Sequence, residues 1–365
     1  MSYLAVTLNH VRAIKAWAER HGGRAQLDLL SFELEVKARH RYFTLYPQFL
    51  ARTEGRFAHV SQLTSDVTGF IGWLPYRAMR WPLSSDKLAF KRLLAQAGVR
   101  VPAQWPSPSE ARSDHIVKRS VGSFGVDLAG PFRQGAAPSE ALDAFMSQAD
   151  ARGEVFTEQF VRGRNLKVWF WGERVFHVQC HDYPVLRGDG ASTVLQLATQ
   201  RLERMGIELA SYGERAFILQ SLAYQGTRLD HILPPSEERW LDFRYGRRFC
   251  MEERTDEADN ALPRCSTAER AQIDAVGKVV ATELMHSLDV PVLYAVDGVL
   301  DDDGQIWWLE VNSNPIFAPT GYPFMLATLF GTSVHADGPA TGGVPAPAPG
   351  VDASGPVGAP LEVRA

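Results

Sequence analysis

Tyr294-Ala295-Val296-Asp297-Gly298-Val299-Leu300-Asp301-Asp302-Asp303-Gly304-Gln305-Ile306-Trp307-Trp308-Leu309-Glu310-Val311-Asn312 places an Asp-Gly step between two apolar runs. That is the strongest short-range signal for a β-hairpin. With Asp303-Gly304 as a two-residue turn, opposed residues have numbers summing to 607, so Asp297 faces Glu310. Asn312 then points from the same face one step along. Like charges directly opposed destabilise a sheet, so this pair requires a compensating cation. Asp, Glu and Asn supply the hard oxygen donors that magnesium takes while it also binds phosphate oxygens. The run Asp301-Asp302-Asp303 reads as a solvated turn rather than a second metal site.

Moving outward, Ser85-Asp86 opens a helix from Lys87 to Ala97, and Gly98 suits the left-handed position after its end. His115-Ile116-Val117-Lys118 reads as a strand running into Arg119-Ser120-Val121-Gly122-Ser123-Phe124-Gly125. Small residues let backbone N–H groups approach phosphate, and a lysine ending the strand adds a point charge. No Walker loop is present. Residues 166–181 alternate as a hairpin turning at Gly172-Glu173, with helical stretches near 192–205 and 267–288. At the start, residues 3–8 read as a strand, 10–20 as a helix ending at Gly22-Gly23, and 27–34 as a further apolar segment. Strand–helix–strand order predicts an open α/β domain over 1–83. The Ala/Pro/Gly-rich stretch 336–365 has too few large side chains to offset chain entropy and reads as disordered.

These pieces, in this order, resemble the ATP-grasp superfamily. Ser85-Asp86-Lys87…Lys91 with Gly98-Val99-Arg100-Val101-Pro102 is similar to its entry helix and exit. Lys118 resembles its second phosphate lysine, and Gly122-Ser123-Phe124-Gly125 its mobile phosphate loop. Glu158, Gln159, Phe160 and Val161 resemble its adenine hinge. Asp297, Glu310 and Asn312 match its magnesium triad. The segment Val185-Leu186-Arg187-Gly188-Asp189-Gly190-Ala191-Ser192-Thr193 resembles the cyanophycin synthetase-like branch, and the motif order also resembles D-alanine–D-alanine ligase.

The resemblance implies lobes of mixed α and β structure, 84–157 and 158–335, with ATP and Mg2+ as cofactors. It further implies ADP-forming ligation of an amino acid or peptide carboxylate to an amine through an acyl phosphate. Cyclisation or modification of a ribosomal precursor peptide and a non-catalytic nucleotide-binding module remain alternatives. Two positions depart from the pattern. Asn165 stands where that ligase has a ribose-binding glutamate, and Ala295 where it has an oxyanion-stabilising arginine. Arg187, Arg244, Arg247 and Arg248 are the candidates to replace that arginine.

Composition limits the rest. A net charge of -4 gives no global field for nucleic acid. Three spaced cysteines suit a reducing cytoplasm, and neither a signal peptide nor a run of about 20 apolar residues is visible. A homodimer is the default oligomer. His177, Cys180 and His181 suggest zinc, but alternation sets Cys180 on the opposite face. Trp169-Phe170-Trp171 and Trp307-Trp308 read as packing rather than as a nucleic-acid platform.

Overall fold

A computed structural model describes residues 3–53, 56–122, 128–136, 140–147, 153–204, 206–212, 215–244, 259–288 and 291–333. Helix α1 (Tyr3–Arg20) puts Thr7, His10, Ile14, Trp17 and Ala18 on one buried stripe at three- and four-residue spacing. It lies against an antiparallel sheet of β1 (Arg24–Leu27), β2 (Leu34–Ala38), β3 (Arg41–Thr53), β4 (Arg56–Val60) and β5 (Val67–Leu74). The expected strand at 3–8 is therefore the first third of a helix, because the buried stripe continues back through Thr7 with no breaker before His10. Leu27 and Leu34 end and begin neighbouring strands. Between them the Asp28 carboxylate accepts from the Leu30 and Ser31 N–H groups, closing a turn that leaves Leu29 and Leu30 exposed. Observed here is one helix over a hairpin-built sheet rather than strand–helix–strand order.

Helix α2 (Lys87–Gln96) is capped by the Asp86 carboxylate, which accepts from the Leu88 and Ala89 N–H groups, and Gly98 follows at φ +71°. Next comes a four-stranded sheet in the order β6 (Gln104–Trp105), β9 (Val155–Gln159), β7 (His115–Arg119), β8 (Leu128–Phe132). Helix α3 (Glu140–Met146) covers one face of it, with Phe145 against Val117, Ala129 and Phe132.

The second four-stranded sheet, β11 (Arg174–His181), β10 (Arg164–Trp171), β14 (Leu293–Leu300) and β15 (Ile306–Asn312), is antiparallel throughout. Its two faces differ in chemistry. Val178, Val168, Val296 and Val311 pack with Ile273, Val276 and Val280 of helix α6 (Thr267–Ser287). The opposite face carries Gln179, Lys167, Asp297 and Glu310 in one row across all four strands.

Between β11 and α6 sits a unit with its own core. It comprises β12 (Val185–Arg187), α4 (Val194–Glu203), α5 (Arg215–Tyr224) and β13 (Glu238–Trp240). Helix α7 (Tyr322–Phe330) returns to the first layer, burying Met325, Leu326 and Phe330 beside Ile14, Trp17 and Trp73. The Tyr322 hydroxyl accepts from the Trp73 N–H at 3.0 Å and is hydrogen-bonded to His10 Nδ1 at 2.8 Å. Trp169, Phe170, Trp171 and Trp308 are buried, while Trp307 is only partly so, with the Arg100 guanidinium 5.0 Å from its ring centroid. No helix among the described residues is long and apolar enough to cross a membrane.

Gly277 fixes how closely α6 can approach the sheet. A Cβ there would stand 2.5 Å from Phe170 Cε1, and the Phe170 ring stacks on Tyr294. Gly→Ala in a helix ordinarily stabilises by about 1 kcal/mol. Here overpacking, which typically costs ~1–3 kcal/mol, should win. Gly277→Ala is expected to lower the urea midpoint; an unchanged or higher midpoint would show that the helix can move outward freely.

Candidate functional site

The hairpin places its acids as the sequence indicates, by a different route. The turn is a five-residue loop, Asp301 to Gln305, with Gly304 at φ +75° and Leu300 facing Ile306. A bulge between the Asp297 and Gly298 pairs then inserts one extra residue on β15, which restores Asp297 opposite Glu310 and sets Ala295 opposite Asn312. Asp301 organises the loop, accepting from the Asp303 and Gln305 N–H groups and from Trp307 Nε1.

Both carboxylates are matched by lysines. Lys167 Nζ lies 2.8 Å from Asp297 Oδ1, and Asn312 Nδ2 donates to Asp297 Oδ2 at 2.9 Å. Lys87 Nζ lies 3.5 Å from Glu310 Oε2. Burial pushes the Asp297 carboxyl above the ordinary range and the Glu310 charge adds to this, while Lys167 and Asn312 pull it back. Asp297, Glu310 and Asn312 together form an all-oxygen donor set suited to a hard divalent cation.

Lys87, the first residue of α2, also donates to the Gly122 carbonyl at 2.7 Å, and its N–H donates to the Ser120 carbonyl. Ser85, Lys87, Ser120, Gly122, Glu310 and Asn312 thus line one small cleft. Gly122 has φ +145°, a conformation that excludes most side chains. Ser123, Phe124 and Gly125 lie outside the described residues.

Beside the cleft is a buried charge cluster. Glu158 Oε1 meets Lys118 Nζ at 2.7 Å and Oε2 meets Lys91 Nζ at 2.5 Å, with Lys91 and Glu158 both 0% exposed. Burial drives the Lys91 ammonium below its usual range, and Glu158 opposes this. For Glu158, burial acts upward, but Lys118 and Lys91 prevail and hold the carboxyl below the ordinary 4.5. The Glu310 charge also reaches Lys91, so cluster and cleft are electrostatically continuous.

The remaining expected site residues divide into those near the cleft and those committed elsewhere. Gln159 is tied on both sides to Ala103, and the Phe160 N–H donates to the Asp114 carbonyl. Phe160 packs edge-on to Phe243 and Tyr224. Among the described residues the Val161 N–H has no hydrogen-bond partner. Asn165 is buried and donates to the Phe243 carbonyl at 2.9 Å, anchoring the inserted unit beside Phe160. Arg187 forms an exposed pair with Glu238 on β12 and β13. Arg244 is buried, paired with Asp242 at 2.7 Å and stacked on Phe217. Neither guanidinium contacts Asp297, Glu310 or Lys87. Arg247 and Arg248 lie outside the described residues. His177 and His181 share the cleft face, with Cys180 on the opposite one, and among the described residues no three His, Cys, Asp or Glu side chains form a metal-binding group.

Two residues escape the sequence reading. Lys167 carries a period-two signal, standing opposite in phase to Val168 in an apolar strand. Its meeting with Asp297 depends on β10–β14 pairing across 130 positions, which no local pattern reveals. Lys91 lies between Phe90 and Leu94 on the buried stripe of α2, a place where a lysine requires a partner.

No family model and no curated protein matches the chain. Among solved structures it is similar to a bifunctional glutathione synthetase from Pasteurella multocida, at 15% identity and TM-score 0.40, covering 88% of this chain and 43% of that one. It is also similar to the D-alanine–D-alanine ligase from Bacillus anthracis, at 12% identity and TM-score 0.37, covering 68% and 67%. A third likeness is to the ATP-grasp ligase PsnB complexed with minimal precursor, at 14% identity and TM-score 0.32, covering 68% and 61%. The chain spans less than half the length of the glutathione synthetase. At TM-scores this low such likeness decides nothing, and function has to rest on the chemistry of the site residues.

Glu158 bridges two cations, so its loss should exceed that of either lysine. Glu158→Gln leaves Lys91 and Lys118 facing each other and should cost about 3–5 kcal/mol. Lys91→Met keeps one balanced pair and should cost less. The Glu158 contribution is full above the ordinary 4.5 and is lost as pH falls through the lower folded value. Wild type should therefore weaken faster than Glu158→Gln across that acid window in denaturant titrations, and the reverse order of variants would refute the bridge.

Proposed function

We propose that the chain is an ATP-grasp carboxylate–amine ligase, divided at residues 84 and 158 into the lobes expected from sequence. The observation that supports it is the convergence of Lys87 and Lys167, from two separate elements, on the opposed acids Asp297 and Glu310, beside the buried Glu158 that holds Lys118 and Lys91. Few chemistries need several cations and a hard-metal donor set at once; transfer of a phosphoryl group from a nucleoside triphosphate does. Asp297, Glu310 and Asn312 would hold magnesium, which neutralises phosphate charge and orients the transferring group.

In this reading the substrate carboxylate attacks the γ-phosphorus of ATP, giving an acyl phosphate and ADP. The amine then attacks the acyl carbon, and the carbon–oxygen bond to phosphate breaks to leave an amide. Lys87 and Lys118 neutralise phosphate oxygens. Lys167 and Lys87, which lie on the two carboxylates, would be available to phosphate oxygens once a metal took over the charge of Asp297 and Glu310. Ala295 removes one cation from this face, and Lys167, one strand over and opposite Asp297, restores it. The Val161 N–H, without a hydrogen-bond partner among the described residues, would be available to an edge acceptor of the base.

Purified protein with ATP, magnesium and pools of amino acids and short peptides should release phosphate and form an amide-linked product detectable by mass spectrometry. Glu310→Gln should fall below about a tenth of wild-type turnover, as loss of a metal ligand demands. Lys167→Met should lose about 10²–10³ in kcat, the range for a donor aimed at developing oxyanion charge. Full turnover in Glu310→Gln would sink the metal assignment.

A further inference from the structure

The chain that joins the first layer to α2 is fastened to the loop that follows Asn312. Asn314 Nδ2 donates to the Met79 carbonyl at 2.8 Å. Two residues after Met79, Trp81 is buried with its ring edge-on to Tyr294, and its carbonyl accepts from the Ser84 and Ser85 hydroxyls. Leu83, Ser84 and Ser85 then line the cleft beside Lys87 and Glu310. Arg80 therefore stands on a backbone held at both neighbours, at the rim of the cleft. Asn314 is two residues from Asn312, at most about 7 Å along the chain, so this rim adjoins the candidate metal ligands.

The charge at Arg80 differs from that inside the cleft. Lys87 and Lys167 face Glu310 and Asp297, and Lys118 and Lys91 share Glu158. Arg80 is exposed, and among the described residues it has no carboxylate partner. Its charge reaches His59 of β4, which also lies against the Asn314 backbone. Partial burial holds the His59 imidazole below its ordinary range, the Asn314 backbone opposes this and Arg80 adds to it. No acid among the described residues enters that balance. Where β4 meets the loop after β15, the local charge is positive and unanswered.

We propose that Arg80 binds the carboxylate of the substrate that is to be phosphorylated. This rests on the ligase reading. The attacking carboxylate approaches a phosphoryl group that is itself anionic, so each of the two anions needs its own cations. The cleft lysines already face acids of the protein, and a metal on Asp297, Glu310 and Asn312 would answer phosphate. One more negative charge calls for a cation with no acid of its own. A guanidinium presents two N–H groups in one plane, which fits both carboxylate oxygens. Each oxygen keeps a further lone pair, so attack on phosphorus stays open. The anchored backbone at Met79 and Trp81 leaves little further ordering to pay for on binding.

Hydroxylamine traps an acyl phosphate as a hydroxamate, so use of the carboxylate can be read without the second substrate. Full-length wild type with ATP, magnesium, hydroxylamine and a pool of amino acids and short peptides identifies the carboxylate that reacts. For that carboxylate, Arg80→Met should raise KM about thirtyfold, the loss expected for a charge-assisted contact. Its KM for ATP should stay within about twofold, because the lost contact is to the other substrate. Arg80→Lys keeps the charge without the fork and should fall between Arg80→Met and wild type. An unchanged carboxylate KM in Arg80→Met would overturn the proposal. An equal rise in both KM values would also overturn it, by placing Arg80 on phosphate or in the fold. No hydroxamate from wild type would remove the ligase reading and this assignment with it, an outcome distinct from failure at Arg80 alone.

Discussion

Two carboxylates held side by side across β14 and β15 are the constraint around which the rest of the structure is arranged. Asp297 and Glu310 repel each other, and their burial makes that repulsion stronger than it would be in water. The fold answers with cations brought from other elements. Lys167 comes from the neighbouring strand, Lys87 from the first turn of α2, and Lys91 from the next turn of the same helix at longer range. The cations are anchored in turn: Lys87 on the carbonyl of Gly122, and Lys91, together with Lys118, on Glu158. The helix cap at Asp86 therefore does more than end a helix; it fixes where the Lys87 ammonium can reach.

What could be read from the sequence was local. The Asp86 cap, the Gly98 terminator, the 166–181 hairpin and the pairing of Asp297 with Glu310 all depend on residues close in the chain. Even so, the last was reached through a turn that does not form. The loop is longer than the two-residue turn, and the bulge on β15 cancels the difference. Residues 3–8 were ambiguous because a six-residue apolar segment fits either period, and the buried stripe of α1 decides for the helix. Lys167 and Lys91 were hidden for another reason. Their meaning lies in partners 130 and 67 positions away. Of the arginines expected as oxyanion candidates, Arg187 and Arg244 have carboxylate partners within their own unit, and Arg247 and Arg248 lie outside the described residues.

The inserted unit also packs against the small sheet. Helix α5 reaches over the small sheet, where Tyr224 donates to Asp114 Oδ2 and Gln220 donates to the Pro131 carbonyl. Arg133 completes the contact, paired with Asp114 and lying over the Tyr224 ring. Phe160, Tyr224, Trp240 and Phe243 form an aromatic cluster at the point where the two sheets meet. Asn165, buried on β10, ties the main sheet to that cluster through the Phe243 carbonyl.

The return of α7 to the first layer has a consequence for synthesis. Ile14, Trp17, Phe70 and Trp73 emerge early from the ribosome, yet Phe317, Tyr322, Met325 and Phe330, which complete their core, emerge some 240 or more residues later. At about 5–20 residues per second, the early layer waits many seconds with aromatic surface uncovered. Completion of this core therefore waits until residues 317–330 have left the ribosome, and chaperone capture of the nascent chain would act on this layer first.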